Sequence, residues 1–281
     1  MRNRSLAMLA FLGLTAVDAR AADLGYDYLR GAEYDEPAIV TTQLIDWSGV
    51  YAGGHVGWST TNFGFKNAGR TEIAHILRQT LVEKEFGVST WNKLNDKRRS
   101  GLSYGAFGGY NVQYGDVVFG LEGDYTSINQ KAYSEDAVSR YMQGSTGRYY
   151  SVAAHTLSRA SLVEYGTVRA RLGYAFGPLL PFVTGGLAVG RAVIGNAVDV
   201  TSLEYSAIPT PTSVPVGGSG YQSTASLKEK FAVGAALGAG IDYAITSNIF
   251  LRAEYQYILF SKFGDHLMNV NTVRSALAVK F

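Results

Sequence analysis

The 281-residue sequence contains no cysteine, so disulfide scaffolds, cysteine-bound metals and thiol catalysis are excluded. Proline is scarce, at six residues, and the charge is nearly balanced, with 25 basic against 23 acidic residues. That balance argues against a strongly basic nucleic-acid-binding protein. The chain also lacks the run of about 20 consecutive apolar residues that a transmembrane helix needs. This absence does not exclude a membrane protein built from strands. The length is that of one or two domains.

The first 21 residues have the three parts of a secretory signal peptide. Arg2 and Arg4 give a positive start, residues 6–14 are apolar, and residues 19–21 read Ala-Arg-Ala, a small-residue cleavage site. The alternative interpretation is a buried N-terminal helix. Cleavage after Ala21 would remove three arginines and one aspartate, leaving an exported protein with no formal net charge.

The rest of the chain alternates in polarity with a period of two, which is typical of strands because successive side chains point to opposite faces. From Phe231 to Tyr243, odd positions are apolar or aromatic and even positions are small or charged. The eight segments with this alternation are approximately 49–58, 102–113, 117–126, 168–174, 182–193, 231–243, 251–257 and 273–281.

Long and short connections alternate strictly between these segments. Short turns lie at 114–116, 176–178 and 246–248, whereas the other connections run to about 40, 35, 34 and 10 residues. A soluble antiparallel sandwich would show the same polarity, but this spacing puts all long loops at one end of a closed barrel, as in outer-membrane barrels. Aromatic residues near both ends of the apolar faces fit two interfacial belts. We therefore predict an all-β fold, an eight-stranded antiparallel up-and-down transmembrane barrel.

Several strands resemble those of the small porin-family surface antigens of alphaproteobacteria, which are Gram-negative bacteria. The resembling segments are 46–54 (DWSGVYAGG), 108–111, 118–124, 168–174 and 271–281. The terminal Phe281, preceded by alternating apolar residues, resembles the signal read by the outer-membrane assembly machinery. The resemblance implies an outer-membrane location; family members are described variously as structural proteins, surface antigens and haem binders. It is specific at the strands and does not extend to the long loops.

Alternation also assigns charged residues to the barrel interior. The predicted inward charges are Glu122, Asp124, Asp242 and Glu254 with Arg169, Arg171, Arg252, Arg274 and Lys280. An eight-stranded barrel is just wide enough for side chains to fill, and buried charges are costly unless paired. We expect a charge-paired plug that holds the barrel together; the alternative is a narrow ion path.

The long loops hold weaker candidates. His75 and His155 are possible haem ligands because histidine is a common axial ligand of haem iron, but no spacing is diagnostic. No His-x-Ser pair occurs, so serine catalysis is not expected. The run Lys97, Arg98 and Arg99 could contact lipopolysaccharide phosphates through charge-assisted hydrogen bonds. In residues 72–86, Ile73, Ile76, Leu77 and Leu81 have helical spacing, with Thr71 as a possible cap. They predict a short helix over the barrel mouth, a lid that buries its own apolar stripe; the alternative is a partner-docking element.

The sequence thus predicts a signal peptide (1–21), a periplasmic N-terminal tail (22–45) and an outer-membrane barrel (46–281). The expected function is structural and surface-displaying, without catalysis, cofactor, metal or nucleic acid. A small-solute porin and haem or other ligand binding by the outer loops are the alternatives. The expected partners are outer-membrane lipids, lipopolysaccharide and the assembly machinery.

Overall fold

The computed structural model describes residues 45–224 and 227–281. The predicted signal peptide and nearly all of the predicted periplasmic tail lie outside these residues. The strands are β1 (Gly49–Gly64), β2 (Lys97–Tyr114), β3 (Val117–Gln143), β4 (Tyr149–Tyr174), β5 (Leu179–Tyr205), β6 (Gly217–Thr224), β7 (Lys228–Ala244), β8 (Ile249–Phe260) and β9 (Leu267–Lys280). No helix in this part of the chain is long and apolar enough to cross a bilayer.

Eight of these strands form a closed antiparallel ring. Each strand pairs with the next one in the chain, except that β5 pairs with β7, and β9 returns to pair with β1. The short connections at 115–116, 175–178 and 245–248 lie at one end, which is the predicted periplasmic end. The prediction of an eight-stranded up-and-down barrel is confirmed.

Three strands are far longer than a bilayer requires. β3, β4 and β5 have 27, 26 and 27 residues, whereas a transmembrane strand needs about 9–11. Their outer parts, 128–143, 149–162 and 192–205, form a sheet beyond the bilayer that we call the outer wall. β6 pairs with the outer part of β5 from Ala197 to Glu204. Much of the sequence expected to be loop is therefore strand.

The ring presents an apolar band to the lipid. Side chains that alternate with the inward ones, such as Leu121, Val168, Leu237 and Val273, are more than half exposed. Tyr110, Tyr114, Tyr174, Phe176 and Tyr243 are exposed at the periplasmic end, and Trp58, Tyr104 and Tyr125 at the outer end. These positions match the two predicted belts, which anchor a barrel at the membrane interfaces.

The connection between β1 and β2 folds into the mouth of the barrel. This segment, residues 65–96, is called the lid and contains α1 (Arg70–Ile76), α2 (Leu81–Phe86) and a 3-10 turn (Val88–Thr90). The sequence predicts one helix capped by Thr71, whereas the lid contains two. The first, α1, begins after Gly69 and has no side-chain cap, and the side chain of Thr80 caps α2. The break falls where Thr80 accepts a hydrogen bond from Glu83 N, a bond that favours a new helix start.

Candidate functional site

The candidate site is the barrel interior, where eight charged side chains lie together. This charge cluster consists of Glu122, Asp124, Asp242, Glu254, Arg169, Arg171, Arg252 and Arg274, all less than a tenth exposed. They come from β3, β4, β7, β8 and β9, whose inward positions meet at the middle of the ring because neighbouring strands pair in register. The structure thus brings together eight of the nine residues assigned to the interior.

Arg169 makes the most contacts in the cluster. Its Nη2 donates to Glu122 Oε1 at 2.7 Å and to Asp124 Oδ2 at 2.8 Å. Its Nη1 donates to Glu254 Oε1 at 2.5 Å and to Thr184 Oγ1 at 2.9 Å. A side chain at Gly238 would fit poorly, because a Cβ there would lie 3.0 Å from both Arg169 Nη1 and Glu254 Oε1.

The other three arginines bind the remaining carboxylate oxygens except Asp124 Oδ1, which has no hydrogen-bond partner among the described residues. Arg252 donates to Glu122 Oε2 at 2.5 Å and from Nε to Asp242 Oδ1 at 2.8 Å. Arg171 donates to Asp242 Oδ2 at 2.5 Å, and Arg274 donates to Glu254 Oε2 at 2.9 Å. Four carboxylates and four guanidinium groups share one network, which reduces the cost of burying each charge.

Lys280 does not join this network, which corrects its assignment to the interior charge set. It lies near the periplasmic end of β9, is partly exposed, and its amine donates to the backbone carbonyl of Asp46. The position has the inward parity, but it is the last residue of β9 and still pairs with Tyr51 of β1, so the side chain lies at the periplasmic rim, away from the carboxylates.

Apolar layers close the interior on both sides of the charge cluster. On the periplasmic side, Trp47, Tyr51, Phe107, Leu180 and Phe250 are buried together. On the outer side, the buried layer includes Phe63, Phe65, Leu162, Tyr165, Phe260 and Phe263. Arginine stacking joins the charge cluster to buried aromatic rings: the guanidinium carbon of Arg171 lies 3.8 Å from the centroid of the Phe182 ring, and that of Arg252 lies 4.5 Å from the centroid of the Phe107 ring in the periplasmic layer. The described interior is therefore filled with side chains.

The lid adds a fourth layer above these. The buried apolar side chains of its helical part are Ile73, Leu77, Val82, Val88 and Trp91, and they pack on Tyr150, Val152, Ala154, Val198 and Val200 of the outer wall. The prediction that the lid buries its own apolar stripe is met at Ile73 and Leu77, whereas Leu81 is exposed and Val82 replaces it.

A polar chain, here called the latch, ties the lid to the barrel. Asn196 Nδ2 donates to Glu72 Oε1 of α1 at 2.8 Å, and Ser158 Oγ donates to Asn196 Oδ1 at 2.6 Å. His266 Nε2 lies 2.9 Å from Ser158 Oγ. Because the Ser158 hydrogen points to Asn196, this geometry makes His266 Nε2 the donor. Ser158 and His266 are 108 residues apart, so local spacing could not reveal the pair.

The Ser158–His266 pair has the hydroxyl–imidazole contact of a catalytic triad, but its surroundings differ from those of an active site. Ser158 and His266 are 0% and 1% exposed, so a substrate cannot reach the hydroxyl. A third group orienting the histidine is also missing from the described residues, where His266 Nδ1 has no hydrogen-bond partner. The pair is part of the latch, which reaches Glu72 of the lid through Asn196.

The latch predicts that the lid loosens in acid. Burial lowers the pKa of His266, outweighing the opposing effect of nearby Asp265 and Glu72. The opened state therefore binds a proton more readily than the closed state, and closure weakens as pH falls through the ordinary histidine range near 6.5. We expect amide protection factors in α1 to fall by up to about tenfold per pH unit there. The variant His266→Gln, whose amide can still donate to Ser158, should lose this dependence.

The matched control is His75→Gln, because His75 lies on α1 itself but is exposed. It should keep the wild-type pH profile. An unchanged profile in His266→Gln would contradict the role of the latch.

The two candidate haem ligands do not share a site. His75 is on the lid, inside the outer wall, and Arg78 Nη1 lies 3.5 Å from its Nε2. His155 follows the inward Ala154 on β4 and is exposed, so it faces the opposite side of the wall. The space beside His75 is lined largely by polar groups, among them Arg78, Gln79 and Gln222, instead of the apolar walls a haem would need.

The basic run and the chain terminus are also placed by the structure. Lys97 is half-buried opposite Phe63, Arg98 is exposed, and Arg99 Nε donates to the carbonyl of Lys131 at 3.3 Å. The run is therefore split among different surroundings. Phe281 is exposed at the end of β9, and its backbone N donates to Val50 O at 2.9 Å.

The closed ring, the apolar band between aromatic belts and the charged interior define a transmembrane β-barrel of the outer-membrane type. The chain belongs to the family described as outer membrane protein beta-barrel domain, whose family model matches residues 9–281. The predicted family resemblance and outer-membrane location are both confirmed.

Similar proteins include outer-membrane proteins of alphaproteobacteria. The chain is 27% identical over 289 residues to the 31 kDa outer-membrane immunogenic protein of Brucella melitensis, covering 99% of this chain and all of that one. It is 28% identical to the 22 kDa outer membrane protein of Rhizobium leguminosarum, covering 69% and 75% of the two chains. Among solved structures, Neisserial surface protein A is similar with a TM-score of 0.39 and 16% identity, covering 83% of this chain and 98% of that one.

Proposed function

We propose that this protein is a closed, non-catalytic barrel that supports the outer membrane and displays the outer wall and the loops at the cell surface. The observation that carries the proposal is the filled interior. Three buried layers and the lid occupy the space that a solute would cross. The display role is supported by the outer wall, which extends β3, β4 and β5 well beyond the belt at Tyr125.

The missing cysteines make a direct topological test possible. Thr212→Cys places a thiol in the exposed connection between β5 and β6, and Ser247→Cys places one in the short turn between β7 and β8. On intact cells, a membrane-impermeant maleimide should label Thr212→Cys and leave Ser247→Cys at background. Permeabilising the outer membrane should expose Ser247→Cys. Labelling in the reverse order would overturn the proposed display.

The small-solute porin is the second candidate function, and the specific observation in its favour is the line of charged residues through the interior. The cluster is balanced, four carboxylates with four arginines, and each is buried by its neighbours. That arrangement favours a plug over a path, because mobile ions need a hydrated route. Single-channel conductance separates the porin function from the closed barrel.

A further inference from the structure

A concave patch lies on the outer face of the barrel, beyond the belt at Tyr125. Its volume is about 540 Å³. We call it the basic groove and define it by a basic rim, Arg99, Lys131 and Arg159, and an apolar floor, Val163, Val193 and Leu227. It does not belong to the interior site, because these side chains lie outside the ring.

Two β-bulges shape the groove. The β3–β4 register shifts between Ser127 and Gln130, and the β4–β5 register shifts between Leu162 and Glu164. An extra residue bends a strand and re-aims its side chains, and Asn129 has a left-handed backbone with φ of 44°. The bulges turn the wall at this height and leave Val163 facing the groove.

The gap between β2 and β3 positions the first arginine. The β2–β3 pairing ends at Tyr104 and Ser127, so the two strands separate beyond it. Arg99 spans the gap and donates from Nε to the Lys131 carbonyl at 3.3 Å. This bond holds the Arg99 side chain next to Lys131, although the two residues are 32 positions apart.

The charges of the rim are not neutralised by the protein. Within the described residues, no carboxylate oxygen lies within 4.0 Å of a charged nitrogen of Arg99, Lys131 or Arg159. Arg191 on the same face shows the contrast, since it pairs with both Glu164 and Glu229 at 2.8 Å. Three positive charges with no acidic partner in this part of the chain indicate an anionic ligand.

The apolar floor lies beside the basic groups on the outer wall. Lys131 pairs with Ser161, which pairs with Val193, so these residues share one level of the sheet. Along β4, Arg159 lies two residues further out than Ser161, and Val163 lies two residues nearer the belt at Tyr125. An amphiphile of the outer leaflet, which carries anionic groups next to hydrocarbon, matches a site with charged and apolar groups side by side.

We propose that the basic groove binds lipopolysaccharide, with its phosphate groups on Arg99, Lys131 and Arg159 and its apolar part against the floor. Guanidinium groups bind phosphate oxygens through two parallel hydrogen bonds, and an ammonium adds a point charge. The site replaces the predicted linear run, because Arg99 lines the groove whereas Lys97 and Arg98 do not. It depends on the proposed function only in that the outer wall faces the cell exterior.

The test uses the folded protein in detergent micelles, titrated with purified lipopolysaccharide and followed by calorimetry. The triple variant Arg99→Gln, Lys131→Gln, Arg159→Gln should bind at least tenfold more weakly. The matched control, Arg78→Gln, Lys84→Gln, Lys262→Gln, removes the same charge from exposed positions elsewhere on the outer half and should bind like the wild type. Equal weakening in both variants would overturn the site, since binding would then follow net charge alone.

Two further arms complete the experiment. Lipopolysaccharide stripped of phosphate should bind the wild type as weakly as the intact lipid binds the triple variant. Inorganic phosphate at matched concentration should not compete, because it lacks the apolar part; full competition would make this a free-phosphate site and overturn the lipid assignment. If the triple variant does not show the heat-dependent gel shift of a folded barrel, Arg159→Gln alone serves as the test variant. It should bind at least threefold more weakly than the wild type, and unchanged binding would overturn the site. Labelling of Thr212→Cys checks the proposed display separately.

Discussion

Arg169→Met is expected to lower the free energy of unfolding by about 3–5 kcal/mol, because it leaves buried carboxylates without their partner. Arg169 is completely buried and binds Glu122, Asp124 and Glu254 at 2.5–2.8 Å. Methionine fills a similar volume, so the loss would report charge and hydrogen bonding instead of a cavity. Urea titration in lipid vesicles, followed by tryptophan fluorescence, measures it.

Arg191→Met is the matched control. Arg191 also bridges two carboxylates, Glu164 and Glu229, but on the outward surface where both pairs are partly exposed. Surface ion pairs contribute about 0–1 kcal/mol, so this variant should unfold close to the wild-type midpoint. Equal losses of unfolding free energy in the two variants would show that burial does not make the ion pairs of the charge cluster more important for stability than surface pairs.

A second substitution should recover part of the loss. Arg169→Met leaves four carboxylates facing three arginines, and adding Glu254→Gln makes the numbers equal again. We expect the double variant to be more stable than Arg169→Met alone, a coupling that interacting groups show in a double-mutant cycle. Strict additivity would mean that the two side chains act independently despite their 2.5 Å contact.

The refolded protein is expected to give no single-channel steps in a planar bilayer. An ion would have to pass the lid, the layer around Phe260, the charge cluster and the layer around Trp47, all of them buried. Because the layers are independent, neutralising one charge by Glu254→Gln should leave the bilayer silent. Single-channel recording in concentrated salt measures this directly.

Insertion of the refolded protein must be shown in the same membranes. The heat-dependent gel shift of a folded barrel provides this control. A general outer-membrane porin recorded under the same conditions checks the sensitivity. Stable steps from the wild type, altered by Glu254→Gln, would favour the porin function over the closed barrel.

The membrane-spanning part could be predicted from the sequence because lipid imposes a strict alternation on every strand. Glu122, Asp124, Arg169 and Arg171 follow from parity alone. Their pairing does not: that Arg252 binds Glu122 across 130 positions depends on the closure of the ring, which no local pattern encodes. Lys280 has the inward parity but lies at the periplasmic end of β9, and parity alone does not give a residue's height in the barrel.

Beyond the bilayer the alternation weakens, because neither face of the outer wall contacts lipid. The inward face of β3 there carries Ala132, Ser134 and Asp136, which pack against the lid with small or polar groups, so the strand looked like a loop. The Ser158–His266 contact was missed for a related reason. It joins β4 to the residue preceding β9 across the mouth, and only the tertiary structure brings them together.

The outer wall makes one side of the barrel taller than the other among the described residues. β4 continues 17 residues beyond Gly166, about 55 Å along the strand, whereas β8 ends at Phe260, three residues beyond Tyr257. Within the described residues, a large molecule that approaches from the tall side contacts the wall before the lid, whereas β8 and β9 leave the lid less covered. Side chains on the outward side of the wall therefore lie apart from the contacts that keep the mouth closed, and substitutions there should leave the lid in place.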